Sequence, residues 1–262
     1  MDRTYWHKQT AEQPLFPDLL WSRPENKQHA GKLLIIGGNI HGFRAPAEAY
    51  TESLKAGVGS TRVFLPDALH KTVSKVFPEI EFAPSTPSGS FAQKSLADLL
   101  DVTNWTDGLL FAGDFGKNSE TAILLESLVD KYRGQLTLVG DSIDYFKHQP
   151  KSLLDRTGTT LVLTFQQLQQ LAPAANFDQA ITSTLDLLHL VDILHNFTKH
   201  FEANIIIEHS ENIIVAVNGQ VSTKKVNQAD SGKINIATHA AIWWLQNPSK
   251  AFEALSSSLL SG

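Results

Sequence analysis

Three glycines within six residues mark the first segment whose residue types could do chemistry. Gly37, Gly38 and Gly42 belong to the segment GGNIHGFRAP, which lies between an apolar strand pattern and a helical pattern. Glycines in such a turn allow close backbone approach, and a helix N-terminus offers free N–H groups to an anion. The spacing is neither the G-x-G-x-x-G of dinucleotide-binding turns nor that of a P-loop. We interpret the segment as a ligand-binding loop, with a tight structural turn as the alternative.

The remaining residue types exclude several kinds of site. The chain has no cysteine, which excludes disulfides, cysteine-ligated zinc, iron–sulfur clusters and thiol catalysis. Its histidines show no metal-binding spacing, since His189, His195 and His200 fall on different faces of a predicted helix. We therefore predict no metal held by protein side chains. The net charge of −5, without a basic block, also argues against a nucleic-acid partner.

Apolar strand patterns alternate with helical patterns along most of the chain. The predicted strands are 32–36, 61–65, 79–83, 108–111, 136–139, 159–163, 204–208, 212–217 and 221–224. The predicted helices are 45–55, 68–76, 91–101, 119–132, 165–171, 178–200, 234–246 and 249–260.

This alternation predicts an α/β fold, in which a mostly parallel sheet is covered by helices on both faces. Asn218-Gly219 predicts an antiparallel hairpin near the C-terminal part of the chain. Ligands of such sheets bind beyond the carboxyl ends of the strands. The candidate site loops are therefore 37–46, 112–118, 140–144 and 228–233.

We predict two parts: an extended N-terminal arm over residues 1–27 and a single domain over residues 28–262. The arm carries Pro14, Pro17 and Pro24, and we expect it either to wrap a neighbouring subunit of a homo-oligomer or to be a free tail. The N-terminus lacks the apolar core of a signal peptide, and no apolar run approaches the ~20 residues that span a bilayer. We expect a cytoplasmic protein without a membrane partner.

The segment from Gly31 to Pro66, GKLLIIGGNIHGFRAPAEAYTESLKAGVGSTRVFLP, resembles the opening of the ADP/ATP-dependent NAD(P)H-hydrate dehydratases. The family pattern there is Gly-Gly-Ser after a strand, a Gly-Ala-Pro step into a helix, Ala-Gly-x-Gly, and a strand ending in Pro. The matching residues are Gly37-Gly38, Ala45-Pro46, Ala56-Gly57-Val58-Gly59 and Pro66. Element order extends the resemblance over about residues 28–250. It implies a three-layer α/β/α ribokinase-like sandwich.

The chemistry implied by the resemblance is metabolite repair. ADP or ATP, with Mg²⁺, would phosphorylate hydrated NAD(P)H, and loss of the phosphate would restore the dihydronicotinamide, so an active chain would be a hydro-lyase. The substrate-binding positions implied are Ala45, Gly116, Gln166 and Asp141, and the phosphate-binding positions are Ser231, Gly232 and Glu208.

Two charges differ from the family pattern at the implied nucleotide site. Glu208 stands where the family has a phosphate-binding lysine, and Lys233 stands where it has a catalytic aspartate. An amine with an ordinary pKa of about 10.4 is protonated at neutral pH and cannot serve as the general base. Lys233 could instead supply the missing positive charge at the anion hole. An incidental surface lysine is the alternative.

Three hypotheses remain open from the sequence. The first is an active dehydratase in which another acid, such as Asp114 or Asp230, replaces the missing base. The second is a non-catalytic homologue that binds a nucleotide or a nicotinamide ligand. The third is a structural or regulatory subunit.

Overall fold

One ten-stranded sheet forms the centre of the molecule. The structure, a computed structural model, describes residues 3–24, 26–73, 79–226 and 232–260. The strand order across the sheet is β1-β10-β9-β8-β7-β6-β5-β2-β3-β4. The strands are β1 Trp6–Gln9, β2 Lys32–Gly37, β3 Ser60–Pro66, β4 Ile80–Ala83, β5 Gly108–Gly113, β6 Gln135–Val139, β7 Thr159–Leu163, β8 Asn204–His209, β9 Asn212–Val217 and β10 Gln220–Lys225.

The sheet is parallel except at β9, which runs antiparallel to both β8 and β10. The turn between β9 and β10 holds Asn218 and Gly219 at φ of 46° and 78°, the left-handed backbone that asparagine and glycine tolerate best. The predicted α/β fold and the predicted hairpin are both confirmed.

Helices cover both faces of the sheet. Because side chains alternate along a strand, Leu34 and Ile36 of β2 face one core, whereas Leu33 and Ile35 face the other. The helices are α1 Pro17–Trp21, α2 Arg44–Lys55, α3 His70–Val73, α4 Leu96–Thr103, α5 Ser119–Lys131, α6 Lys151–Leu154, α7 Phe165–Ala174, α8 Leu187–His200, α9 Lys233–Gln246 and α10 Ala251–Ser258. None of the helices in the described ranges is both long and apolar enough to cross a membrane.

Several elements differ from the sequence prediction: α1 and α6 were not predicted, and α4 begins at Leu96 rather than at residue 91. Two further differences have a clear physical reason. The helix predicted over 178–200 begins only at Leu187, because Asp186 caps it: the Asp186 carboxylate accepts a hydrogen bond from His189 N at 2.9 Å. The strand β1 was not predicted, since four residues, WHKQ, carry too little alternation. It pairs in parallel with β10 of the same chain, so residues 6–9 are not a free tail.

Candidate functional site

The carboxyl ends of β2 and β5 touch, and this contact positions the site. Gly38 N donates to Gly113 O at 2.9 Å. A Cβ atom built on Gly37 would lie 2.4 Å from the same oxygen and 2.9 Å from Pro46 Cγ. Only glycine fits there, so Gly37 is required by close backbone approach rather than by a positive φ.

Asp114, directly after β5, joins the two loops that follow these strands. Its Oδ2 accepts a hydrogen bond from Ala45 N at 2.7 Å, and its carbonyl oxygen accepts one from Asn39 Nδ2 at 2.6 Å. Ala45 lies in the first turn of α2, where a carboxylate is favoured by the free amides and the helix dipole. The amide of Ala45, a predicted substrate-binding position, is therefore engaged by the chain's own carboxylate.

Asp141 and Gly116, two further predicted substrate positions, lie in direct contact. Gly116 N donates to Asp141 Oδ2 at 3.0 Å, whereas Asp141 Oδ1 is buried near Gly113 and accepts no hydrogen bond from the described residues. Burial raises the pKa of Asp141, and the neighbouring carboxylates of Asp114 and Asp144 add to the rise, although the amides of Gly116 and Phe115 oppose it. The geometry thus favours a carboxyl that holds a proton more strongly than a free aspartate does.

A cavity of about 310 Å³ opens beside this pair, at the lower end of the range of about 300–1,000 Å³ for ligand sites. Its floor is the turn after β5 and its wall is the segment after β6. The lining residues are Gly116, Lys117, Asn118, Asp141, Asp144, Tyr145 and Lys147. A second cavity, of about 350 Å³, lies at the amino ends of the strands. Its six charged lining residues are of both signs, and none of the predicted site positions lines it.

Gln167, rather than the predicted Gln166, faces this group of residues. Gln167 is buried and its Nε2 donates to Gly140 O and to Asp144 Oδ1, both at 2.9 Å, whereas Gln166 is exposed. The T-x-x-Q spacing of a capping box, which Thr164 and Gln167 form at the start of α7, was the sequence signal that could have identified Gln167. A role for Gln166 stays a prediction.

The start of α9 brings a second set of predicted positions near α2. A Cβ atom built on Gly232 would lie 3.5 Å from Glu48 Oε1, one helical turn beyond Ala45. The Lys233 side chain is exposed at the first position of α9. Ser231 and Asp230 lie outside the described residues, so their predicted roles are untested.

Glu208 is exposed at the end of β8, where it pairs with Ile213 in the sheet. Among the described residues, no hydrogen bond or ion pair joins its side chain to the Ala45, Gly116 and Asp141 group. Within the described ranges, no three histidine, aspartate or glutamate side chains come together as a metal site. The structure therefore unites Ala45, Gly116 and Asp141, places Gly232 beside Glu48, which lies one turn of α2 beyond Ala45, and leaves Glu208 apart.

No family model matches the chain. In sequence, it is 28% identical over 86 residues to the ADP-dependent (S)-NAD(P)H-hydrate dehydratase of Natrialba magadii, a match that covers 33% of each chain. It is 22% identical over 190 residues to a bifunctional NAD(P)H-hydrate repair enzyme of Dictyoglomus turgidum, covering 71% of this chain and 35% of that protein. Each match thus spans about a third of the relative's length.

Solved structures share the fold at low identity. A ribokinase-like superfamily protein of Enterococcus faecalis V583 superposes with a TM-score of 0.72 at 15% identity, covering 99% of this chain and 87% of that one. The ADP/ATP-dependent NAD(P)H-hydrate dehydratase of Bacillus subtilis, co-crystallised with ATP and Mg²⁺, gives 0.62 at 10% identity, covering 94% and 86%. The expectation from the opening segment is thereby confirmed: the chain has a ribokinase-like α/β fold, and its sequence resembles the NAD(P)H-hydrate dehydratases.

Proposed function

We propose that this chain binds NAD(P)H hydrate, or a related nicotinamide nucleotide, at the carboxyl edge of β2, β5 and β6. The observation that carries the proposal is the convergence of Ala45, Gly116 and Asp141. A Cβ atom on Gly113 would lie 3.8 Å from Ala45 Cβ and 3.1 Å from Asp141 Oδ1, and Gly116 N binds the other oxygen of Asp141. Two curated relatives whose names include NAD(P)H-hydrate dehydratase or repair support the substrate class.

The full reaction follows by resemblance to those relatives. The hydroxyl oxygen of the hydrate would attack the terminal phosphorus of ADP or ATP, its proton would pass to solvent, and the nucleoside mono- or diphosphate would leave. Departure of the phosphate with its C–O electron pair, and of a proton from the adjacent carbon, would then restore the ring double bond. The N-terminus of α9 would face the nucleotide phosphates, because free helix amides favour anions.

Glu48 is the carboxylate beside that terminus, and it fits a magnesium ion that arrives with the nucleotide. Mg²⁺ is usually held by one or two carboxylates together with substrate phosphates and water. Glu48 lies 3.5 Å from the position of a Gly232 Cβ, and its only ion pair among the described residues is the long 3.9 Å contact to Arg44. Bound Mg²⁺ would neutralise phosphate charge that Glu48 alone would repel.

A second candidate function is binding without turnover. Lys233 favours it, since an exposed ammonium stands at the first position of α9, where the resembled family has its catalytic aspartate. An ammonium cannot accept the proton of the attacking hydroxyl. Homo-oligomerisation and a cytoplasmic location remain predictions under either candidate.

Two measurements on one preparation separate these candidates. Hydrated NADH or NADPH is incubated with ADP or ATP and Mg²⁺ while absorbance at 340 nm reports the restored dihydronicotinamide, and calorimetry reports binding of the same compounds. Turnover supports the dehydratase, and binding without turnover supports the second candidate. Asp141→Ala should weaken binding, whereas Asp178→Ala, an exposed aspartate outside the site, should not. A chain that neither binds nor turns over any nicotinamide nucleotide would refute the proposal.

A further inference from the structure

Two lysines line the 310 Å³ cavity beside Asp141. Lys117 follows the turn after β5, and Lys147 follows the short helical segment after β6, so two neighbouring strands deliver them to one opening. Both side chains are exposed, and neither forms an ion pair or a hydrogen bond with any other residue of the described ranges. Two ammonium groups without an ion-pair partner among the described residues therefore line the same space.

The two carboxylates of the cavity are already engaged by the protein. Asp141 Oδ2 accepts from Gly116 N at 3.0 Å, and Asp144 Oδ1 accepts from Gln167 Nε2 at 2.9 Å. Burial also raises the pKa of Asp141. The two ammonium groups are consequently the charged groups of this cavity that none of the described residues binds.

The other polar groups of the cavity form a fixed wall. The Tyr145 hydroxyl donates to Gly116 O at 2.8 Å, and burial raises the pKa of Tyr145 to about 12, so the phenol stays neutral. Asn118 holds the start of α5, since its side-chain oxygen accepts from Glu120 N and Thr121 N. A rigid neutral wall with two mobile cations at the rim suits an anion attached to an organic body.

We propose that Lys117 and Lys147 bind a phosphate group of a nucleotide ligand that enters this cavity. The inference rests on the proposed function and specifies it: these two lysines hold a phosphate of the bound nicotinamide nucleotide. The phosphate here is separate from the nucleotide phosphates assigned to the start of α9, because the cavity lies at the ends of β5 and β6 and does not include Gly232.

The test is a titration of wild type, Lys117→Gln, Lys147→Gln and the double variant. The ligands are NADPH, NADH, nicotinamide mononucleotide, nicotinamide riboside, ADP and pyrophosphate, measured at two salt concentrations. Each single substitution should weaken binding of the phosphorylated nicotinamide compounds by up to about tenfold, and the double variant should lose more. Rising salt should weaken wild type more than the double variant, because exposed charges are screened. The riboside, which has no phosphate, should bind all four proteins equally.

Lys131→Gln is the matched control, since Lys131 is an exposed lysine at the far end of α5. Its affinities should equal those of wild type. The lysine assignment is overturned if the double variant binds NADPH as tightly as wild type does, or if wild type binds none of the phosphorylated compounds. Binding of pyrophosphate and ADP through the lysines, without binding of any nicotinamide compound, would instead refute the proposed function and leave the lysine site standing.

Discussion

The turn after β5 places an acidic side chain on a left-handed backbone. Asp114 has a φ of 60°, which costs a residue other than glycine about 1–2 kcal/mol. Its carboxylate offsets part of that cost by binding Ala45 N at the start of α2. Two effects thus constrain the site at the scale of single residues. A side chain at position 37 would overlap β5, and burial disfavours the ionised form of Asp141.

Gly37→Ala should destabilise the protein by about 1–3 kcal/mol, because the new Cβ would overlap the backbone of β5. Its position is 2.4 Å from Gly113 O. Gly42→Ala is the matched control in the same loop, where the nearest atom to a new Cβ, Asp114 Oδ2, is 3.9 Å away. Urea denaturation measures both variants, and equal stabilities would contradict the close approach.

Asp141→Asn should change how stability depends on pH. Because burial raises the pKa of Asp141 above 3.8, its protonated form favours folding at low pH, and that contribution is lost as pH rises through the raised pKa. The free energy of unfolding of wild type should therefore fall relative to that of the variant as pH increases from about 4. Denaturant titrations of ligand-free protein test this. Asp178→Asn, at an exposed site, should track wild type, and parallel curves for wild type and Asp141→Asn would disprove the burial effect.

At the scale of elements, α9 packs against α2, α10 and the centre of the sheet. All residues of α9 from Ile236 to Trp244 are buried. The buried His239 of α9 lies 3.6 Å from the Glu52 carboxylate of α2. Because these two helices carry Gly232 and Ala45, this buried polar contact helps to hold the two ends of the site in register.

His239→Gln should make the protein less sensitive to mild acid. Burial lowers the pKa of His239 below 6.5, although Glu52 opposes the shift, so the folded state favours the neutral ring. Stability from this group is present above pH 6.5 and is lost as pH falls toward the folded pKa. Thermal unfolding between pH 7.5 and about 5 should show a steeper fall for wild type than for the variant. The control, His148→Gln, changes an exposed histidine, so its unfolding temperature should fall with pH as steeply as that of wild type.

At the scale of the whole molecule, the N-terminal residues complete the sheet rather than extend from it. Strand β1 lies on β10, and a side-chain cluster on α8 fastens it there: Arg3 Nε donates to Asp192 Oδ1 at 2.7 Å and Tyr5 OH donates to the same oxygen at 2.5 Å. The Tyr5 ring also stacks on His195 with centroids 3.7 Å apart. The edge of β10 is thereby covered, and β1 becomes the terminal strand on this side of the sheet.

Asp192→Asn should loosen this edge. The Arg3 guanidinium, with the Tyr5 hydroxyl, lowers the pKa of Asp192 to about 2. Its contribution to stability is therefore present above pH 3.8 and is lost as pH falls through about 2. Hydrogen exchange at pH 7 should speed up in Trp6–Gln9 and not in β5. Arg3→Gln should reproduce the effect, and an unchanged exchange rate in both variants would show that β1 is held by its backbone bonds alone.

The order of elements could be predicted because it depends on local patterns. Apolar runs such as Leu33–Ile36 and glycines such as Gly37 and Gly219 specify strands and turns through the chemistry of a few neighbouring residues. The fold, the hairpin and the loops that hold the candidate site followed from these patterns and from the resemblance of the segment Gly31 to Pro66. Strand β1 did not, because its contacts, the pairing with β10 and the Arg3–Asp192 pair, join residues that lie far apart in sequence.

The chain's own residue types determined which chemistry is available, and only the tertiary structure decided which groups meet. The sequence named Ala45, Gly116 and Asp141 as separate positions; the parallel sheet brings them to one edge because β2, β5 and β6 end there together. The sequence could not show that Gln167 binds Asp144 or that Glu48 stands beside Gly232. Those pairings are set by helix rotation and packing, which depend on contacts across the whole sheet.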